Sequence, residues 1–371
     1  MAMAARFLPG LELSRRFYSE AVLPILQRTI PGIPFSAARL GSGSEVLGFD
    51  TERSADHEWG PRLQIFLRAD DLETRGESTW QALSEQLPKS FAGWPTHFSA
   101  ADGDPVGHMA ETDGPVNHRI AVTSIAAWFG YELGFDPLVG ITTLDWLAAP
   151  TQRLAENTGG AVFSDGLGEL AEARRRIQWY PDDLWRYALA CQWQRISQEE
   201  AFVGRAGEVG DELGSAVVAA RLVREIIRLG FLLERRWAPY SKWLGSSFGT
   251  LKLSAVLKEH LHSVLGAASW QDRQAGLGAA YQILGQAQNQ LALTEPVDPT
   301  VRPYHDRPYL VLHAERFADP LRVSLADPAI RNLPLLGTID QVVDSTDVLC
   351  SSARNRRMIE AMLAEASQSQ P

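Results

Sequence analysis

The apolar pattern of the chain changes near residue 145, and this change restricts the fold more than any other feature. Before it, short apolar runs alternate with Gly- and Pro-rich turns, as in mixed strands and helices. From 151 to about 290, apolar residues recur at helical spacing, and prolines at 296, 299, 303 and 308 then indicate a stiff linker. The sequence therefore predicts an α+β protein: a mixed sheet with helices over 1–145, a helical bundle over 146–295, and a C-terminal extension over 296–371 that packs on both.

The first region divides into a helix and a series of strands. Helical spacing predicts a helix from Leu11 to about Arg28, which two prolines end. An apolar run predicts a strand over Phe35–Leu40, Gly41-Ser42-Gly43-Ser44 predicts a turn, and a second strand, interrupted by Gly60-Pro61, is predicted over Asp56–Leu67. Further helices are expected over Ser78–Leu87, Leu184–Ile196, Ser215–Trp237, Leu251–Leu265 and Gln274–Leu291, and further strands over Thr96–Ser99, Val116–Ile125 and Tyr309–His313.

Two carboxylates in the second predicted strand suggest a metal site. On a strand, residues i and i+2 point to the same face, so Asp56 and Glu58 would lie side by side. Such a pair alone is usually a solvated face, but here it follows a Gly-Ser turn. Mg²⁺ relieves the repulsion between two neighbouring carboxylates. We therefore expect Asp56 and Glu58 to bind Mg²⁺, while His57 points to the opposite face and is structural.

The Gly-Ser turn suggests a phosphate site. A small turn before a helix offers backbone N–H groups and a hydroxyl to an anion. Gly43 and Ser44 are the expected phosphate ligands, and the overlapping register adds Ser42. Lys242, which lies between aromatic residues after a predicted helix, is also expected to bind phosphate. A phosphate loop beside a metal pair provides the parts needed to transfer a nucleotidyl group.

Charge and composition exclude several classes of protein. The formal net charge of −10 argues against a general nucleic-acid binder, which normally has a basic surface. The two cysteines are far apart and have no histidines at metal-ligand spacing, which argues against a zinc site or a disulfide framework. Charged residues interrupt the N-terminus and the apolar segment Ser215–Trp237, so we expect no signal peptide and no membrane span. The expectation is a cytoplasmic protein without a membrane or nucleic-acid partner.

The Gly43-Ser44 turn, followed about a dozen residues later by Asp56-x-Glu58, resembles the polymerase-β-like nucleotidyltransferase superfamily. More closely, the chain resembles a bacterial nucleotidyltransferase-like family of unassigned function, and it is distantly similar to kanamycin-type nucleotidyltransferases. The closer resemblance is carried by the stretches GSEVLGFD, DHEWGP, Ser197–Arg205, APYSKWLG and Asp340–Asp347. It implies a nucleotidyltransferase-type N-terminal domain in which Asp56 and Glu58 are catalytic. The implied reaction moves an NMP, AMP first, from an NTP, ATP first, to a hydroxyl or phosphate of a small-molecule acceptor, with Mg²⁺.

The chain departs from the superfamily pattern at a third acidic residue. Active members usually carry it on a later strand, where this sequence has Ala121. Glu200 is the first choice for the missing general base, and the rivals are Glu199, Glu111 and Asp113. The missing acid favours an alternative function, a catalytically inactive nucleotide-binding module that regulates or interacts. A toxin–antitoxin-like pair acting on RNA or protein is a third hypothesis, but the RNase motif of such helical partners is not recognised over 151–290.

Overall fold

The computed structural model describes residues 6–56, 58–100 and 107–368, and only the backbone at 56, 100 and 365–368. The chain forms two compact units, each built from two segments. Unit 1 comprises 1–141 and 153–178, and unit 2 comprises 142–152 and 179–371. Among the described helices, none is long and apolar enough to cross a membrane.

The described part of the chain is a mixture of helices and strands, as α+β predicts. The strands are β1 (Ser36–Arg39), β2 (Arg62–Phe66), β3 (Ser90–Phe91), β4 (Trp94–Pro95), β5 (His97–Ala100), β6 (Gly107–Ala110), β7 (Arg119–Thr123), β8 (Ala161–Asp165), β9 (Arg302–Pro303) and β10 (Leu310–Val311). The α-helices are α1 (Gly10–Phe17), α2 (Leu23–Thr29), α3 (Ala69–Gln86), α4 (Ile125–Leu133), α5 (Thr143–Ala148), α6 (Thr151–Thr158), α7 (Leu170–Arg176), α8 (Asp182–Glu199), α9 (Phe202–Glu208), α10 (Glu212–Leu233), α11 (Ser241–Phe248), α12 (Ser254–Gly266), α13 (Trp270–Gln290), α14 (Glu315–Val323), α15 (Pro328–Arg331), α16 (Ile339–Val342), α17 (Thr346–Leu349) and α18 (Ser352–Gln368).

A four-stranded mixed sheet in the order β7-β2-β1-β8 organises unit 1. β2 pairs with β7 in parallel, whereas β1 pairs with β2 and β8 in antiparallel fashion. Leu63, Ile65 and Ile120 point to one face and pack in a core with residues of α1, α2 and α3. Because side chains alternate along a strand, Arg62 and Gln64 lie on the opposite face. The candidate site is built on that second face.

The helix predicted over Leu11–Arg28 is confirmed as one helical region, although it is not a regular α-helix throughout. A π-helical turn, Tyr18–Val22, separates α1 from α2. Pro24 lies in the first turn of α2 and has no N–H to donate to the preceding turn, which accounts for the irregularity. Leu13, Phe17 and Val22 are fully buried, so the apolar stripe faces the core.

Two predictions of secondary structure were wrong. The strand expected over Asp56–Leu67 begins only at Arg62, because Gly60, at φ +135°, and Pro61 break the extended backbone before it. The segment from 151 to 290 was expected to be helical throughout, yet it contains β8, which completes the sheet beside β1. Gly159 and Gly160 allow the tight passage into β8, since a Cβ at Gly160 would stand 2.0 Å from the Arg39 carbonyl oxygen.

Unit 2 is mainly helical. α8 packs against α10 and α14, and α10 packs against α12 and α13. Aromatic side chains fill its core: Trp185 and Trp193 are at most 1% exposed, and Trp193 stacks on Phe317 with 4.7 Å between ring centroids. The two-residue strand β10 lies within the run predicted over Tyr309–His313. The long helices of this unit therefore follow the apolar periodicity of the sequence.

Candidate functional site

The Gly41–Ser44 loop leads from β1 into a 3₁₀ helix, Ser44–Leu47, in unit 1. Gly41, at φ +78°, and Gly43, at φ +148°, both adopt backbone conformations that favour glycine. A Cβ on Gly43 would stand 2.5 Å from a guanidinium nitrogen of Arg39 and 2.6 Å from one of Arg62. Glycine at position 43 therefore allows two arginines and the Glu45 carboxylate, whose Oε2 would be 2.5 Å from such a Cβ, to lie against the loop.

The loop leaves three consecutive donors available. In the described part of the chain, the backbone N–H groups of Ser42, Gly43 and Ser44 donate to no protein acceptor. The Ser42 carbonyl, by contrast, accepts hydrogen bonds from Arg39 and from Arg62 Nη2, the latter at 3.2 Å. The arginines thus fix the loop from behind by its carbonyl. Successive unpartnered N–H groups of this kind form an anion-binding concavity.

A buried ion-pair cluster lies beneath the loop. Glu45 Oε1 accepts from Arg39 Nε at 2.9 Å and from Arg62 Nη2 at 2.9 Å, and both Arg39 and Glu45 are 2% exposed. Burial opposes ionisation of Glu45, but the charges of Arg39 and Arg62 outweigh it and lower the pKa of the carboxyl below its usual value. Burial, together with the charge of Arg62, lowers the pKa of Arg39 to about 10. Glu45 is thus held between two cations, while Arg62 also contacts Glu58 and Arg39 also feels the charge of Glu156.

Glu58 lies at the edge of this cluster but not on a strand. It follows a 3₁₀ helix, Glu52–Asp56, and has φ +47°, so the shared strand face predicted for Asp56 and Glu58 is wrong. Glu58 Oε1 accepts from Arg119 at 2.8 Å and from the Gly107 N–H at 3.1 Å, and Oε2 accepts from Arg62 at 3.4 Å. Its carboxylate is therefore joined to two arginines. The Asp56 side chain and His57 lie outside the described residues.

Of the two predicted Mg²⁺ ligands, Asp56 and Glu58, only Glu58 has a described side chain. Among the described residues, no cluster of three or more His, Cys, Asp or Glu side chains is arranged to hold a metal ion. Glu58 offers the hard oxygen ligands that Mg²⁺ prefers, and its side chain is 40% exposed. Both of its oxygens, however, accept hydrogen bonds from arginines. A metal on Glu58 would therefore share these oxygens with the arginines or displace them.

The position expected for a third acid is on the same face of the sheet. β7 and β2 pair with Arg119 opposite Arg62 and Ala121 opposite Gln64, and Ala121 is exposed. The rival Glu111 is also exposed, in the segment between β6 and β7. β7 thus carries an alanine, Ala121, at the position where a general base was expected.

The predicted residues of the helical region lie in unit 2. Glu200 is buried, and its two oxygens accept from the backbone N–H groups of Leu312, at 2.7 Å, and Ala314, at 2.9 Å. Burial raises the pKa of Glu200 to about 7, which suits a general base, but carboxylate oxygens engaged in this way favour a structural anchor. Glu199 pairs with Arg221 at 3.1 Å. Lys242 is exposed in α11, with its ammonium 5.1 Å from the centroid of the Trp243 ring.

Comparison with known proteins gives one family match. The family described as a domain of unknown function (DUF4037) matches residues 146–244. The matched segment contains Glu200 and Lys242 but neither the Gly41–Ser44 loop nor the ion-pair cluster. The chain has no match among curated proteins or solved structures.

Sequence reasoning missed the arginines and Glu45. A signal for them exists, because Arg39 interrupts the apolar run Phe35–Leu40 and Arg62 interrupts the run that ends at Leu67. A charged residue inside a strand with apolar neighbours is rarely buried unless it is paired. Two such arginines on neighbouring strands therefore indicate a buried carboxylate near the turn between them, and Glu45 follows that turn directly.

Proposed function

We propose that unit 1 binds the phosphates of a nucleoside triphosphate at the Gly41–Ser44 loop, as a nucleotidyltransferase-type domain does. The observation that carries this proposal is the set of three unpartnered N–H groups in a loop whose Ser42 carbonyl is held by the buried Arg39 and Arg62. Buried cations and oriented N–H groups favour a multiply charged anion. An arginine that already holds the loop carbonyl costs little reorganisation when the phosphate arrives.

We further propose that the bound NTP, ATP first, donates its NMP to a hydroxyl or phosphate of a small-molecule acceptor. Asp56 and Glu58 would hold the Mg²⁺ that this chemistry uses, and the metal would neutralise charge on the phosphates. Arg119, which is 39% exposed, would turn from Glu58 towards the incoming phosphates. The residues of the loop and the arginines behind it orient the triphosphate for displacement at its α-phosphate.

A second function, nucleotide binding without catalysis, is favoured by two specific observations. Glu58 is tied to Arg62 and Arg119, and the exposed face of β7 carries Ala121 in place of an acid. Without a group that takes the proton from the acceptor, the rate of the transfer step falls by a factor of typically about 10²–10⁴. In that case Glu58 would keep its ion pairs with Arg62 and Arg119 when nucleotide is bound.

One experiment separates these functions. The protein is incubated with each α-labelled NTP, Mg²⁺ and a metabolite extract, and pyrophosphate, labelled product and bound nucleotide are measured. Release of pyrophosphate with a labelled product supports the transferase, and binding without turnover supports the second function. If no NTP binds, both are refuted.

A matched pair of glycines tests the site. Gly43→Ala introduces a Cβ against Arg39 and Arg62, and we expect NTP affinity to fall by at least about tenfold. Gly48 also has a positive φ, +76°, but a Cβ there meets nothing within 4 Å. Gly48→Ala therefore also places a side chain at a positive φ, but without the clash, and should retain affinity close to wild type.

A further inference from the structure

Two arginines lie next to each other on the face of the sheet that carries the candidate site. β2 and β7 pair in parallel with Arg62 directly opposite Arg119. Arg62 also reaches the Gly41–Ser44 loop, because its Nη2 donates to the Ser42 carbonyl at 3.2 Å. Like charges on neighbouring strands repel each other unless an anion lies between them. This part of the sheet therefore favours an anion that bridges the two guanidinium groups.

In the structure, the bridging anion is the side chain of Glu58. Its Oε1 accepts from Arg119 Nη2 at 2.8 Å, and its Oε2 accepts from Arg62 Nη1 at 3.4 Å. The Arg62 guanidinium thus contacts the loop with one nitrogen and Glu58 with another. The side chains of Glu58 and Arg119 are 40% and 39% exposed, so a ligand in solution can reach their contact.

Gly107 holds Glu58 and Arg119 in this contact. A Cβ on Gly107 would stand 2.0 Å from Arg119 Nη2, so the absence of a side chain lets the guanidinium lie there. The Gly107 N–H donates to Glu58 Oε1 at 3.1 Å, and the Gly107 carbonyl accepts from the Glu58 N–H at 3.2 Å. Glu58 has φ +47°, a strained conformation that persists only where surrounding contacts hold it. The contact is therefore fixed by backbone as well as by side chains.

We propose that Glu58 competes with the nucleotide: its carboxylate occupies the positions on Arg62 and Arg119 that the triphosphate takes when it binds. This inference rests on the phosphate site proposed for the Gly41–Ser44 loop. A triphosphate carries more negative charge than one carboxylate and also accepts from the loop N–H groups, so it can displace Glu58. Until Glu58 leaves, its charge repels the phosphates. Glu58 therefore lowers the affinity for nucleotide when no metal is present.

Displacement of Glu58 has a second consequence. Once phosphates hold Arg62 and Arg119, the Glu58 oxygens no longer accept from these arginines and become available to the Mg²⁺ that the proposed function assigns to Glu58. The same side chain thus opposes nucleotide binding without a metal and favours it with one. A residue that only stabilised the fold would not change the sign of its effect in this way.

Calorimetric titration of the full-length protein with inorganic triphosphate in EDTA tests the competition. This probe has no base and isolates the phosphate contacts. Glu58→Gln removes the competing charge and should bind triphosphate about three- to tenfold more tightly than wild type. Glu172→Gln is the matched control and should bind like wild type. Glu172 also lies between two arginines, Arg175 and Arg176, but on α7.

A double-variant cycle tests whether the arginine is involved. In Arg119→Gln, Glu58 has only the Arg62 contact left, so adding Glu58→Gln should tighten binding by a smaller factor than in wild type. Circular dichroism checks that each variant is folded. The inference is overturned if Glu58→Gln binds triphosphate no more tightly than wild type, if Glu172→Gln gains as much affinity, or if the gain is undiminished in the Arg119→Gln background.

The same titrations with ATP in Mg²⁺ separate this inference from the proposed function. The order should reverse, with wild type binding ATP more tightly than Glu58→Gln. If Glu58→Gln gains affinity in EDTA but the order does not reverse in Mg²⁺, the competition is supported and the metal role of Glu58 is refuted. If wild type binds ATP but Glu58→Gln gains nothing in EDTA, only the competition is refuted. If no protein binds either ligand in either buffer, the phosphate site is refuted, and the competition with it.

Discussion

The carboxylate of Glu200 should make the stability of unit 2 depend on pH. It is 6% exposed, and although it accepts two backbone hydrogen bonds, burial raises its pKa from 4.5 to about 7. A pKa raised in the folded state means that folding favours the neutral carboxyl. The resulting stabilisation is complete below pH 4.5, is lost progressively as pH rises towards 7, and is absent above it.

The size of the effect follows from the two pKa values. A tenfold change in proton affinity corresponds to about 1.4 kcal/mol, so ionising the folded Glu200 side chain removes up to roughly 3 kcal/mol between pH 4.5 and 7. Glu200→Gln does not ionise and should lose this part of the pH dependence. The free energy of unfolding of the variant relative to wild type should therefore rise by that amount across the same interval.

Urea denaturation followed by tryptophan fluorescence at pH 4.5 to 8 measures this difference. Glu199→Gln is the control, since Glu199 is the adjacent residue but pairs with Arg221, and this variant should keep the wild-type dependence. A carbon-13 titration of the Glu200 carboxyl gives an independent reading. A midpoint near 4.5, or a stability difference between Glu200→Gln and wild type that does not change with pH, would refute the reasoning.

Three further predictions concern unit 1. Ser44→Ala should raise the KM for NTP about tenfold, equivalent to about 1.4 kcal/mol, and a larger effect of Ser42→Ala in steady-state kinetics would show that the other register binds phosphate. Asp56→Asn combined with Glu58→Gln should abolish Mg²⁺-dependent NTP binding while the circular dichroism spectrum is kept, and unchanged affinity of the folded double variant would rule out the metal assignment. Glu45→Gln should destabilise the fold by about 3–5 kcal/mol in chemical denaturation, because it removes the ion-pair partner of the buried Arg39 and leaves Arg62 only its longer contact with Glu58, and a loss below about 1 kcal/mol would contradict the pairing.

The sequence predicts long periodic elements well and short irregular ones poorly. The helices of unit 2 lie close to their predicted positions because an apolar stripe repeated over several turns has one low-energy arrangement. β8 was missed because a five-residue run after Gly159 and Gly160 is consistent with either a strand or the turn of a helix. Only pairing with β1, more than a hundred residues earlier in the chain, makes it a strand. Local apolar periodicity does not predict pairing between segments that are so far apart in the chain.

In the candidate site too, local sequence signals predict the loop but not the contacts between distant residues. The loop glycines were predicted because a turn between a strand and a helix has a local signature. Glu58 was predicted on a strand because alternation was extended across Gly60 and Pro61, whose backbone preferences end the strand. The partners of Glu58 follow from the pairing of β2 with β7, which places Arg62 beside Arg119 and both beside Glu58. A carboxylate in a linear motif can thus be a metal ligand or the partner of a cation, and the neighbouring strand decides which role is open to it.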